Sequence, residues 1–151
     1  MQQSSMEFPA VRPFSLSIRH VKMQEAAEQN VRQHHLHSEC EIYINLSGDV
    51  SFMVEEKIYP IRSGDAILTR PYEYHHCIYH SDAPHEHFWI LFSAEGNEAL
   101  FPLFFCRERG EGNRIVLPRE EQTRMFGHCR ALLAGEGGLL ARYQHFFALL
   151  S

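Results

Sequence analysis

The chain has 151 residues, 44% of them hydrophobic and 22% charged, with a formal net charge of −5. That length supports one domain with its own core, and the acidic balance excludes a chain that grips nucleic acid through a basic face. The opening MQQSSMEFPAV has no basic region followed by an apolar stretch, and no apolar run nears the roughly 20 residues of a membrane span, so neither a signal peptide nor a membrane partner is expected.

Residues 1–13 read as an arm. Between 14 and 93, FSLSIRH, CEIYINL, DVSFMVEEKIYPI, DAILTR, HHCIYH and HFWILF are β-branched and aromatic and largely alternate, as strands do. SGD at 47–49, SGD at 63–65 and SDAP at 81–84 mark turns. Short strands at such close spacing predict a sandwich or small barrel. Residues 94–118 read as a connecting helix, interrupted near Pro102, and a brief return strand in GNRIVLP. Residues 119–151 read as two helices. The first places Met125, Phe126, Cys129, Leu132 and Leu133 on one side, and GEGG at 135–138 ends it. In the second, Leu139, Tyr143, Phe146 and Leu150 recur at steps of four and three, a seam for the barrel or for another helix in a homodimer. Because the chain ends one residue later, a longer protein is expected to continue past Ser151. Cys40, Cys77, Cys106 and Cys129 lack CxxC spacing and read as reduced thiols of a cytoplasmic protein.

Eleven histidines are many for this length, and three fall in HHLHSECEIYINLSG, from His34 to Gly48. Alternate residues of a strand share a face. On a regular strand His35, His37 and Glu41 therefore converge, Tyr43 and Asn45 extend their side, and Ile42, Ile44 and Leu46 form the other. In a barrel the polar side lines the lumen. Two imidazoles and a carboxylate suit a divalent metal such as Zn, Ni, Fe or Mn, and equally a pocket for an organic ligand without metal. His34 reads as solvated, and His85 and His87 as an exposed strand end.

His35-x-His37-x3-Glu41-x6-Gly48 resembles the first motif of the cupin superfamily, with Gln29 where that motif opens on glycine. From Gly64 a second segment is similar to the second cupin motif. It carries one residue more before Pro71, Glu73 in place of a glycine, and His80 in place of an asparagine. The stretch from Gly64-Asp65 to Arg70-Pro71-Tyr72-Glu73-Tyr74-His75 resembles the sensor domain of AraC-type transcription regulators, and the resemblance spans about 14–151. It implies a mainly β fold, a double-stranded β-helix (cupin or jelly-roll barrel) followed by C-terminal α-helices that dimerise. It also implies a helix-turn-helix DNA-binding domain that this chain lacks.

The function expected from this resemblance is a small-molecule sensor with no catalytic residues. A small polar effector, sugar-like or a carboxylate, would be held by His35, His37, Glu41, Tyr43, Asn45, Arg70, His75 and Trp89. Its binding would be relayed to DNA through the absent domain. If a divalent metal is bound, the ligand set is His35, His37, Glu41 and His76. His75 and His76 are neighbours, so a regular strand turns only one inward: spacing favours His76, the family pattern His75. Arg70 reads either as a carboxylate clamp or as a surface salt bridge. The alternative function is a small metal-dependent cupin enzyme, a dioxygenase or isomerase.

Overall fold

The alternating stretches form strands because their two faces have two different places to go. The computed structural model describes residues 5–31 and 36–151. His34 and His35 lie outside the described residues.

The strands are β1 (Leu16–Met23), β2 (Cys40–Ser47), β3 (Val50–Val54), β4 (Lys57–Ile61), β5 (Ala66–Thr69), β6 (His75–Tyr79), β7 (His85–Phe92) and β8 (Arg114–Ile115). All pairings are antiparallel. One sheet runs β1-β7-β2-β5-β8, and the other β4-β3-β6. The connecting region is a 3-10 turn at Glu98–Leu100 followed by α1 (Pro102–Phe105). The chain closes with α2 (Arg119–Ala134) and α3 (Gly138–Leu150). The 3-10 turn at Ala26–Val31 had no signal in the sequence pattern. This is a mainly β arrangement of two antiparallel sheets with helices after them, as the sequence predicts.

The first six residues of β2 are buried, because both its faces are covered. Tyr43 points between the sheets with Val50, Phe52, Val54, Ile61, Ile67, Cys77 and Tyr79. Cys40, Ile42 and Ile44 point the other way, with Phe88, Ile90 and Phe92, onto Phe101, Phe104, Met125, Cys129, Leu132 and Phe146. Burying each large apolar side chain contributes about 1.5–3 kcal/mol. The sheet-to-helix layer is thus as much a core as the space between the sheets.

Met125, Cys129 and Leu132 of α2 face this layer as their spacing predicts, while Leu133 is exposed. The α3 seam turns mainly onto the chain's own core. Phe146 is fully buried, with its ring 5.0 Å from Phe92 and 5.9 Å from Phe14. The Tyr143 hydroxyl donates to the Phe14 carbonyl at 3.2 Å. Leu139 and Leu140 stay 67% and 72% exposed. The arm is tied at Arg12, whose amide donates to the Asn97 side chain while the Asn97 amide returns a bond to the Arg12 carbonyl, each 2.9 Å.

Two turns need glycine for its positive φ. Gly48 has φ +105°, and a Cβ there would stand 2.4 Å from His85 Nδ1. Gly64, at φ +86°, would put a Cβ 2.2 Å from Gln122 Oε1, so it lets α2 lie against the turn. Cys40, Cys77 and Cys129 are buried and Cys106 is exposed, all as free thiols. No helix among the described residues is long and apolar enough to cross a membrane.

Candidate ligand-binding site

A cavity of about 350 Å3 lies between the sheets. Its walls follow from register. Arg19 faces Trp89, Val21 faces His87, and Tyr43 faces Trp89, so odd-numbered residues of β1, β2 and β7 share the inner side. Glu41, Phe52, His75, Cys77 and Tyr79 complete the inner wall, and half-buried His76 also reaches it.

At one end His37, Glu41 and His75 bring one ligand atom each to within 4.8 Å of the others. His37 Nε2 and His75 Nε2 both lie 3.1 Å from Glu41 Oε2. The far side of each ring decides its state. His37 Nδ1 donates to the Glu39 carbonyl at 3.1 Å and His75 Nδ1 to the Glu73 carbonyl at 2.7 Å. A carbonyl only accepts, so both Nδ1 atoms carry the proton, and a neutral ring then aims an Nε2 lone pair at Glu41. Lone pairs converging on a carboxylate need a cation among them, either a proton on an imidazole or a metal ion. Burial pushes Glu41 up, but bonds from His37, His75 and the Trp89 indole outweigh it and bring it from 4.5 to about 2. Burial pushes His75 down, but the hydrogen bonds and charges of Glu41 and Glu73 together outweigh it, for a net rise. The donor set of two imidazoles and one carboxylate, with both Nδ1–H groups anchored on carbonyls, fits a divalent ion.

His37 does not sit on the strand. β2 starts at Cys40, and His37 lies in the preceding segment, held where the Tyr72 amide donates to its carbonyl at 2.9 Å. Strand parity thus places Glu41 and Tyr43, whereas a bond from the β5–β6 turn places His37. Of the two adjacent histidines, His75 is the one that meets Glu41. His76 is half-buried on the alternate position, where its ring packs edge-on to Tyr74.

Arg70 does not reach the cavity. It stands in the β5–β6 turn, donating from Nη1 to the Arg107 carbonyl at 3.1 Å. That turn is organised by Glu73, whose carboxylate is fully buried. Arg107 pairs with it twice, at 2.8 and 2.6 Å, and the amides of Gly110 and Arg70 donate at 2.6 and 3.0 Å. The RPxE stretch thus pins the connecting segment to the barrel.

At the other end Tyr43 and His85 share a 2.6 Å hydrogen bond. Both His85 and His87 are buried, contrary to the exposed strand end expected for them. Burial, aided by nearby His85, pushes His87 down from 6.5 to about 4, so it is neutral near neutrality. Asn45 is fully buried beside His87, and its side-chain amide has no hydrogen-bond partner among the described residues. Asn45 is not among the residues that line the cavity.

The family profile of the AraC-like ligand binding domain matches residues 23–150. The chain belongs to that family. No curated protein matches the chain. Among solved structures, this AraC-like domain is similar to a cupin 2 conserved barrel domain protein from Salinispora arenicola, at 21% identity over 62% of this chain and 76% of that one, with a TM-score of 0.41. It is also similar to a predicted oxalate decarboxylase from Thermotoga maritima, at 24% identity over 49% of this chain and 63% of that one, with a TM-score of 0.42. A salicylate 1,2-dioxygenase from Pseudaminobacter salicylatoxidans is 18% identical over 52% of this chain and 21% of its own, with a TM-score of 0.38. Similarity at this level says nothing about activity.

Sequence reading of this AraC-like domain missed two groups. Arg19 lines the cavity, with its guanidinium 5.3 Å from the Trp89 ring centre. The available signal was its odd position in the first alternating stretch. Glu73 stood out only as part of the Arg70–His75 stretch; its role had no local signal, because its partner Arg107 is 34 residues away.

Proposed function

We propose that this AraC-like domain senses a small polar molecule in its cavity and passes the bound state to a DNA-binding domain elsewhere in a full-length cytoplasmic regulator, without chemistry on the ligand. One observation carries this reading. β2 walls the cavity with Glu41 and Tyr43 while its opposite face, Ile42 and Ile44, packs in the core that holds α2 and α3. A ligand that binds better to one setting of this strand than to another shifts the helices with it. The ligand-holding groups are Glu41, Tyr43, His75 and Trp89. A divalent metal would be held by His37, Glu41 and His75 and would act as a Lewis-acid anchor for a ligand oxygen. Exposed Leu133, Leu139 and Leu140 support a homodimer through the C-terminal helices. The test is DNA binding by the full-length protein. An effector that fits the cavity should change its DNA affinity, and a Tyr43→Phe, His75→Ala variant should lose the response. Full-length protein that binds no DNA in either state sinks the reading.

The His37–Glu41–His75 group favours one second reading, a metal-dependent enzyme with open coordination positions. Purified protein without stoichiometric metal, unchanged by chelation, removes it.

A further inference from the structure

We infer that the cavity selects a small organic acid, held by its carboxylate on Arg19 across the face of Trp89. The inference rests on the ligand-binding reading and narrows it to a charge class. Register sets Arg19 opposite Trp89 on the inner side of the sheet, and both line the cavity. Arg19 is exposed to the cavity mouth, and its only described contact is the indole ring. Among the described residues no carboxylate pairs with it.

The other charges do not neutralise it. Glu41 is the one acidic group lining the cavity among the described residues, and it is engaged by His37, His75 and Trp89. His87 is neutral near neutrality. Among the described residues the guanidinium at the mouth is therefore uncompensated, and its planar fork matches a carboxylate. The guanidinium carbon lies 5.3 Å from the Trp89 ring centre, and a cation–π contact at that distance still leaves N–H groups to donate to a carboxylate. The cavity offers a second surface. Val21, Met23, Phe52 and Tyr79 add apolar and aromatic walls beside the polar Glu41, Tyr43 and His75, which suits a ring or short alkyl body. About 350 Å3 is at the small end of ligand pockets. A compact acid with an apolar body satisfies both surfaces.

Trp89 is the chain's single tryptophan, so its fluorescence reports this site alone. Benzoate and benzamide are the probes, nearly equal in shape and different in charge. Benzoate should give a saturable change in Trp89 emission at millimolar concentration. Benzamide should bind at least about tenfold more weakly, the scale of one charge-assisted contact at a partly exposed site. Arg19→Gln should abolish the preference for the acid without weakening benzamide, and added salt should narrow the gap. Equal binding of the two probes overturns the inference and leaves the ligand-binding reading standing. A preference that survives Arg19→Gln also overturns it, and assigns the acid to the His37–Glu41–His75 end. Silence with both probes to tens of millimolar overturns it and counts against the ligand-binding reading as well.

Discussion

Replacing Glu73 by glutamine keeps the shape of the side chain and removes its charge. The carboxylate is fully buried and takes four donors, two from Arg107 and the amides of Gly110 and Arg70. Burial pushes its pKa up, but Arg107 and the two amides outweigh that and bring it from 4.5 to about 2. At about 1.4 kcal/mol per pH unit, that gap is about 3 kcal/mol of stability. Leaving a buried partner charge uncompensated costs about 3–5 kcal/mol in other proteins, which agrees. A folded-state value below the unfolded one means the stability is fully present above 4.5 and is lost as pH falls through about 2. Glu73→Gln should therefore lose about 3 kcal/mol at neutral pH, or about 10 °C in melting temperature for a domain of this size. The gap to the wild type should close as the solution is acidified. Urea unfolding followed by circular dichroism at several pH values measures both. A loss below about 1 kcal/mol, or a gap that stays constant on acidification, would refute the assignment of Glu73 as the charge that holds the connecting segment.

Buried His87 works in a higher pH window. Its value of about 4 against 6.5 means stability present above 6.5 and lost as pH falls toward 4, about 3 kcal/mol in all. His87→Gln should flatten the urea midpoint across that window. The metal group predicts that His37→Ala and His75→Ala abolish stoichiometric nickel or zinc binding in calorimetry, whereas His76→Ala keeps it. Retention of binding by His75→Ala would show that another set holds the ion. Phe146 is fully buried among Phe14, Phe92 and Phe101, so Phe146→Ala should cost about 3–5 kcal/mol in thermal unfolding. By contrast, the Leu139→Glu, Leu140→Glu variant should stay folded and shift the sedimentation coefficient to that of a monomer. An unchanged coefficient removes the helical dimer.

Much of this molecule was legible one residue at a time. Alternation in CEIYINL and HFWILF separates two faces, and that separation puts Glu41, Tyr43 and Trp89 on one wall. Spacing in the first long helix likewise predicts that Met125, Cys129 and Leu132 turn inward. Local rules fail where the chain leaves a regular element. His37 reaches Glu41 from the irregular segment before β2, and its position depends on the amide of Tyr72. The choice between His75 and His76 was open because spacing counted from Pro71 ignores where the strand begins. With β6 starting at His75, pleat direction decides it.

The sequence by itself determined which side chains share a strand face or a helix face, because those periods are properties of the backbone alone. Only the tertiary structure decided which faces meet. It seated Arg107 on Glu73, placed Arg19 over Trp89, and left Arg70 outside the cavity. Such pairings join residues dozens of positions apart, and their geometry comes from strand register and sheet packing, which no local pattern encodes.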